Sequence, residues 1–130
     1  MSISILVLGA PFESQACYTA YRYAKAALEM NTIVDRVFFY QSSVHTASTL
    51  SCTPRDEFDL YTAWQKLNQS YNLDLVVCIA AAARRGVIDN SEQKRHDKIA
   101  HNMSSSFELS GLGQLVEAIA TSEKLITFGE

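Results

Sequence analysis

The chain has 130 residues, of which 48% are hydrophobic, and eleven basic against fourteen acidic residues give a formal net charge of -3. A chain of this length and apolar content can bury one sizeable core, so the sequence predicts a single domain over residues 1–130. Because no dense basic block is present, tight binding to RNA or DNA by this chain alone is not expected. The apolar N-terminal stretch lacks a basic flank and is too short to span a bilayer, which favours a cytoplasmic protein without membrane contact.

The chain begins with a predicted strand, a helix and a second strand. Residues 3–9 form a strand with a continuous apolar core, typical of a parallel strand that is covered on both faces, and residues 32–40 are the second predicted strand. Between the two, Ser14 is the predicted N-cap of a helix that runs to about Met30. Its small and apolar residues recur at helical spacing: Cys17, Ala20, Tyr21, Ala24, Ala27 and Leu28.

A polar connection over residues 41–53 follows the second strand. It is longer than most connections of this kind, and long loops are often functional or form interfaces. At its end, Thr53, Pro54 and Asp56 resemble the N-cap, first-turn proline and capping-box acid of a second helix. That helix carries a core stripe at spacings of four, three and four: Leu60, Trp64, Leu67 and Tyr71.

The alternation continues to the end of the chain, with predicted strands at 73–79, 107–110 and 124–128 and predicted helices after residue 79, near 91–97 and at 111–122. Strands and helices in alternation predict an α/β fold with helices on both faces of a parallel sheet. We therefore expect a three-layer α/β/α architecture with a parallel or mostly parallel sheet of about five strands.

Cys78 lies at the carboxyl end of the third predicted strand, and an alanine-rich helix is predicted to follow that strand. Reactive crevices of such sheets lie outside the carboxyl ends of the strands. The unpaired N–H groups of a helix N-terminus also favour a negative charge, such as a thiolate or a persulfide. Free cysteine is, however, among the most buried residue types. The pattern alone leaves both interpretations open, a core residue or a reactive thiol.

The two other cysteines, Cys17 and Cys52, make an odd total of three, with no C-x-x-C and no zinc-ligand spacing. Neither a disulfide framework nor a metal site is therefore predicted. Cys17 falls in the first turn of the first helix, where it is either core filling or a second thiol that forms a dithiol with Cys78. Cys52 lies in the long connection and is either merely exposed or part of a subunit contact.

Arg84 and Arg85 follow the alanines that come after Cys78. They lie roughly 9–10 Å along the predicted helix axis from Cys78, which is too far for direct pairing with its sulfur. They either complement the helix dipole in the last turn or form a basic rim that attracts an acidic partner protein.

Nucleotide-binding motifs are incomplete in this sequence. Residues 9–15 occupy the place of a phosphate loop but lack the glycine spacing and the lysine of a P-loop. Residues 110–118 contain only Gly111 and Gly113 of the dinucleotide fingerprint. No nucleotide cofactor is therefore predicted. Three histidines lie in polar or loop-like stretches and are not favoured as catalytic residues: His45, His96 and His101.

Several segments, in order and nearly end to end, resemble the TusD/DsrE family of sulfur-carrier proteins. They are "VFFYQSSVHTAS", "DEFDLYTAWQKLN", "VVCIAAAARRGVID" and "SGLGQLVEA", together with the strand-like start and the "LITFG" end. The resemblance implies a single DsrE-like domain. It also implies that the persulfide-bearing cysteine of the family corresponds to Cys78, whereas Cys17 and Cys52 have no such counterpart.

The resemblance further implies a sulfurtransferase without a cofactor or a metal ion. TusD-type members accept persulfide sulfur from TusA and pass it to TusE, in a relay that leads to 2-thiouridine at the tRNA wobble position. DsrE-type members serve the oxidation of stored sulfur. Partners are expected to be TusB-like and TusC-like subunits (or DsrF and DsrH) in a dimer of heterotrimers, a TusA-like donor and a TusE-like acceptor. The branch stays open, as does a purely assembling role for this subunit.

Overall fold

Five parallel strands form the sheet in this computed structural model, which describes residues 1–129. Their spatial order is β4-β3-β2-β1-β5, and each neighbouring pair is parallel. The predicted α/β fold with a parallel sheet of about five strands is confirmed. The strands are β1 (Ser2–Val7), β2 (Ile33–Phe39), β3 (Leu75–Cys78), β4 (Glu108–Ser110) and β5 (Lys124–Phe128).

The helices alternate with these strands as the sequence predicts. A 3-10 helix at Gln41–Ala47 lies between β2 and the second α-helix. The α-helices are α1 (Ala16–Glu29), α2 (Leu60–Tyr71), α3 (Ile79–Arg84), α4 (Asn90–Arg95) and α5 (Gly113–Thr121).

The two faces of the sheet are covered by different helices. On one face, Phe39 of β2 packs edge-to-face on Trp64 of α2, with ring centroids 5.3 Å apart, and α2 packs beside α1. On the opposite face, Arg36 of β2 donates a hydrogen bond to the carbonyl oxygen of Gln114 in α5 at 2.8 Å. Arg36 also pairs with Asp74 at 2.8 Å. This mostly buried cation therefore attaches α5 to the sheet through satisfied hydrogen bonds.

The connection at residues 41–53 is more buried than its polar sequence suggests. Its 3-10 helix buries four small or apolar side chains, and the hydroxyl of Ser43 lies 2.6 Å from the carbonyl oxygen of Val7. The carbonyl oxygen of Val7 thus accepts a second hydrogen bond, beside the one from the backbone N–H of Tyr40 at 3.0 Å, and the connection is fixed to the carboxyl end of the sheet. The buried residues of the 3-10 helix are Ser43, Val44, Thr46 and Ala47.

The predicted start of the second helix at Thr53 is wrong. The helix begins at Leu60, and Asp59 is its N-cap. The Asp59 carboxylate accepts hydrogen bonds from the backbone N–H of Thr62 at 3.2 Å and from its hydroxyl at 2.8 Å. Three members of the predicted core stripe, Leu60, Trp64 and Leu67, are buried, because helical spacing does not depend on where the helix begins. The fourth, Tyr71, is wrong: it ends the helix and is 45% exposed.

A turn replaces the predicted first turn of the helix. The backbone N–H of Glu57 donates to the carbonyl oxygen of Pro54 at 3.0 Å. Phe58 then packs on Tyr18 and Tyr21 of α1, with ring centroids 5.1 and 5.3 Å away. These tertiary contacts hold the segment against α1, and the helix starts only after it. Pro54 is the first residue of this turn. Proline is common both in turns and in the first turn of a helix, so the local signal was ambiguous.

The N-cap of α1 also differs from the prediction by one residue. Gln15 occupies the N-cap position without a side-chain hydrogen bond. Ser14, the predicted cap, accepts a hydrogen bond from the backbone N–H of Ala16 at 3.0 Å. Its hydroxyl therefore still satisfies a donor of the first turn, from one position further out.

Replacing Asp59 by alanine should destabilise the protein by about 1 kcal/mol, because a donor of the first turn of α2 loses its partner. The matched control is Asp56→Ala, which removes the carboxylate that the sequence suggested as the capping-box acid. We expect a change of less than about 0.5 kcal/mol for this exposed residue. Urea unfolding, followed by the fluorescence of Trp64, measures the free energy of unfolding of both variants. Equal losses of this free energy in the two variants would contradict the assignment of Asp59 as the cap.

Candidate active site at the end of strand three

Cys78 occupies the junction that the sequence predicted for it. It is the last residue of β3 and the N-cap of α3, with φ -63° and ψ 118°. All four residues of β3 are buried, and Cys78 itself is 3% exposed. Its sulfur accepts no capping hydrogen bond from the backbone N–H groups of the helix. As the N-cap residue, Cys78 directly precedes the first N–H groups of α3, which have no partner within the helix.

The topology of the sheet gives this position further significance. The crossovers after β1, β2 and β3 each lead to the next strand in one direction, whereas the chain after β4 returns across the sheet to β5. Because such crossovers are right-handed, the connections after β3 and β4 lie on opposite faces. Adjacent strands whose connections diverge in this way leave a crevice at their carboxyl ends, where α/β proteins bind ligands.

Cys78 and Ser110 lie at this switch point. They are register partners at the last pairing of β3 with β4. Strand alternation places Cys78 on the same face as Val76, which is the face that α5 covers. Sequence reasoning did not identify Ser110, because its proximity to Cys78 depends on strand pairing and no local signal indicates which strands are neighbours.

The helix that follows Cys78 is lined with small side chains. Ala81 and Ala82 of α3 are buried and pack in the core. Alanine side chains leave more room beside the sulfur than larger residues would. α3 is short, with only six residues. The N–H groups at its N-terminus nevertheless favour a negatively charged sulfur. The site therefore combines a thiol, unpaired N–H groups and small neighbours.

Cys17 is a structural thiol. It is fully buried, its Sγ donates to the carbonyl oxygen of Gly9 at 3.2 Å, and it lies 3.4 Å from the hydroxyl of Thr46. Burial raises the pKa of the Cys17 thiol from 9.0 to about 11, and the hydrogen bond with Thr46 opposes this shift only in part. Cys17 therefore stays protonated at neutral pH and is a poor nucleophile.

The structure does not bring Cys17 and Cys78 together as a dithiol. All three cysteines are free thiols, and only Cys52 is exposed. The Gly9 carbonyl that Cys17 contacts follows β1, whereas Cys78 ends β3, and β2 lies between these strands. The sulfur of Cys17 is instead engaged with Gly9 and Thr46, so the structure gives the dithiol hypothesis no support.

Arg84 and Arg85 have different environments. The guanidinium of Arg85 turns back and donates to the carbonyl oxygen of Ala81 at 3.1 Å, so Arg85 complements the C-terminal end of α3. Arg84 is exposed and lines a surface cavity of about 510 Å³ together with His96 and His101. The first interpretation from the sequence therefore holds for Arg85, and Arg84 faces solvent at a concave surface.

Neither a cluster of metal-ligating side chains nor a membrane-spanning helix is found among the residues that the structure describes. Within residues 1–129, no three His, Cys, Asp or Glu side chains lie close enough together to hold a metal ion. In the same range, no helix has the length and apolar character needed to cross a membrane.

Comparison with known proteins identifies the family. The model of the DsrE/DsrF-like family matches residues 1–128. The chain belongs to this family. This result confirms the family that the sequence motifs indicated.

Curated relatives of this DsrE/DsrF-like chain match it over nearly its whole length. The DsrE protein of Allochromatium vinosum is 42% identical over 130 residues, which is 100% of both chains. The sulfurtransferase TusD of Proteus mirabilis is 41% identical over 128 residues and covers 98% of both chains. A sulfurtransferase TusD homolog of Pseudomonas aeruginosa is 45% identical over 119 residues, covering 92% of this chain and 91% of the relative.

A solved structure shares the family fold at low sequence identity. The crystal structure of the YchN protein from E. coli superposes with a TM-score of 0.78 and covers 98% of this chain and 99% of that chain. The two sequences are 18% identical. The likeness therefore concerns the fold, and it supports the five-stranded α/β architecture described above.

Thiol labelling should follow the exposure of the three cysteines. In the native protein at pH 8, iodoacetamide should modify Cys52 first, Cys78 slowly and Cys17 last, because only the sulfur of Cys52 is open to solvent. Peptide mass spectrometry measures the three rates, and unfolding in urea should make them similar. Labelling of native Cys17 as fast as Cys52 would contradict its structural role.

Alkaline pH should destabilise the protein partly through Cys17. The folded state keeps this thiol protonated up to about pH 11, whereas the unfolded thiol ionises near pH 9.0. The stability that the buried thiol of Cys17 contributes is therefore fully present below pH 9 and is lost as the pH rises towards 11. Between pH 8 and 10.5, Cys17→Ala should lose about 2 kcal/mol less unfolding free energy than the wild type. Cys52→Ala is the control and should fall as the wild type does; an equal fall in all three proteins would count against the burial effect.

Proposed function

We propose that this chain is a sulfurtransferase that carries sulfur as a persulfide on Cys78. The observation that carries the proposal is the position of this thiol at the switch point of the sheet, beside the N-terminus of α3. The names of the TusD relatives support the activity class, since both are sulfurtransferases by name. The other buried cysteine, Cys17, is protonated and hydrogen-bonded within the core.

The transfer consists of two exchanges at sulfur. The Cys78 thiolate attacks the outer sulfur of a donor persulfide; a new S–S bond forms, the donor S–S bond breaks, and the donor leaves as a thiolate. An acceptor thiolate then attacks the outer sulfur of the Cys78 persulfide, and Cys78 leaves as a thiolate. Each step exchanges one S–S bond for another, so electrons balance without an oxidant, a reductant or a cofactor.

The surroundings of Cys78 assist both exchanges. Cys78 is a thiolate when it attacks and again when it leaves, and the N–H groups at the start of α3 stabilise that charge. The alanines that follow allow room for the additional sulfur atom. Arg84 lies roughly 9 Å along the helix axis from Cys78, so it has no direct part in activating the sulfur.

Partner subunits form the second part of the proposal. Cys78 is 3% exposed, so the isolated chain presents little of the sulfur to a donor. The helix α5, which covers the same face of the sheet, carries an exposed apolar stripe at helical spacing: Leu112, Val116 and Ile119. A stripe of this kind is typical of an interface. We assign it to the TusB-like and TusC-like subunits of a dimer of heterotrimers, in which contact with a carrier uncovers Cys78.

The relay that this subunit serves completes the proposal. A TusA-like protein supplies the sulfur and a TusE-like protein receives it, in the cytoplasm, towards 2-thiouridine at the tRNA wobble position. The chain itself does not bind the tRNA, since its formal net charge is -3. Because a DsrE protein is also among the relatives, sulfur trafficking during sulfur oxidation is the alternative branch.

Persulfide loading tests the role of Cys78. After incubation with a persulfidated carrier protein, the wild type should gain the mass of one sulfur atom on the peptide that contains Cys78, and a reductant should remove it. Cys78→Ser should gain none, because serine cannot form a persulfide. The matched control Cys52→Ser, at an exposed position, should load as the wild type does.

Circular dichroism and size-exclusion chromatography accompany the loading assay to show that each variant is folded and assembled. Undiminished loading of a folded Cys78→Ser protein would overturn the assignment. A folded wild type that never loads would instead favour a non-catalytic assembly subunit, which the near-complete burial of Cys78 also fits.

A further inference from the structure

A second concave surface lies at the other end of α3 from Cys78. The cavity there has a volume of about 510 Å³ and is lined by residues of α3, of the segment after α4 and of the long connection. We call it the basic groove and define it by its apolar and cationic side chains. They are Leu50, Ile99, Arg84, Lys98, His96 and His101.

The basic groove is cationic in a chain that is acidic overall. Among the described residues that line it there is no aspartate or glutamate, while the whole chain carries a formal net charge of -3. His96 lies 3.3 Å from Glu92. Arg84 and Lys98 form no salt bridge with any residue in the range 1–129. Two unpaired cations on a concave surface favour an anionic partner.

The groove also offers apolar contact. Ile99 is fully exposed and Leu50 is 69% exposed, although both belong to residue types that usually pack against other apolar groups. Because most of the lining residues are exposed, the surface is an open groove that would leave a small ligand largely in solvent. An extended protein segment that carries both carboxylates and an apolar side chain matches this surface.

Hydrogen bonds of Asn102 preorganise the groove. The Asn102 side chain donates to the carbonyl oxygen of Gly86 at 3.0 Å and to the hydroxyl of Ser48 at 3.1 Å. It also accepts from the backbone N–H of Ile88 at 2.9 Å. One side chain therefore joins the end of α3, the long connection and the segment after α4. A surface held in this way loses less conformational entropy when a partner binds.

The groove lies within reach of the sulfur site. α3 connects the two and begins directly after Cys78, so about 9 Å of helix separates Cys78 from Arg84. About three extended residues span that distance. A partner segment that docks in the basic groove can therefore hold the rest of the partner protein beside Cys78, at the end of β3.

We propose that the basic groove docks an acidic, leucine-type segment of the protein that exchanges sulfur with Cys78. This inference rests on the function proposed above and adds the chemistry by which the partner is recognised. A protein segment is favoured over RNA because RNA-binding surfaces need an extended basic area, whereas here the two unpaired cations are flanked by apolar side chains.

The test is an NMR titration of the isotopically labelled full chain with an acetylated hexapeptide that alternates glutamate and leucine. Amide shifts should concentrate at Gly86, Ile88 and Ile99. A hexapeptide that alternates lysine and leucine should produce no such shifts. The double variant Arg84→Glu with Lys98→Glu should weaken peptide binding about tenfold or more.

The matched control is Arg55→Glu with Lys66→Glu, which makes the same charge change at exposed residues outside the groove. It should bind the acidic peptide nearly as the wild type does. Amide shifts that are absent or lie elsewhere, or equal weakening by the two double variants, would overturn the proposal. Equal or tighter binding of a short oligouridylate at the same amides would also overturn it, in favour of a nucleic acid.

A separate measurement keeps this inference distinct from the proposed function. Inorganic polysulfide does not dock in the basic groove and should load the nearly buried Cys78 slowly, so both double variants should load at the same slow rate as the wild type. If the wild type fails to load from any donor, the proposed function fails, and the peptide titration still reports on the groove. If loading succeeds and the peptide does not bind the groove, only the docking proposal is rejected.

Discussion

The return of the chain from β4 across the whole sheet to β5 decides where this protein can do chemistry. The earlier crossovers all proceed in one direction and place α1 and α2 on one face. The last crossover places α5 on the other face, so the connections of β3 and β4 diverge at their carboxyl ends. Cys78 and Ser110 are paired at that point. The position of the thiol is therefore a property of the strand order as much as of the strand itself.

The same arrangement explains why a reactive thiol is nearly covered. A parallel sheet must be buried on both faces, and β3 is buried along its whole length. Cys78 consequently has the burial of a core residue at the place where α/β proteins bind ligands. Sulfur transfer between proteins suits such a site, since a carrier that docks beside the thiol can exclude water from the exchange. The exposed apolar stripe of α5 and the basic groove are the two surfaces available for such contacts.

Most elements of the fold could be predicted from the sequence, and each wrong prediction has an identifiable physical cause. The predicted strands and most members of the helical stripes were correct because spacing is a local property, whereas Tyr71 at the end of α2 is exposed. The cap of α2 was misplaced because Thr53 and Asp59 are both acceptable caps, and the packing of Phe58 on α1 determined which one is used. Arg84 and Arg85 looked equivalent in sequence, yet only Arg85 bonds back to α3. The role of Cys78 rests on family resemblance, since its burial fits a core residue equally well.

The sequence by itself determined the order and type of the elements, the end of β3 at Cys78 and the membership of the family. These properties depend on periodicity and on contiguous motifs, which are written along the chain. Only the tertiary structure decided that Ser110 lies beside Cys78, that Cys17 is a structural thiol and that Asn102 builds a groove from three segments. Each of these depends on contacts between residues far apart in sequence, and such contacts form only when the whole sheet assembles.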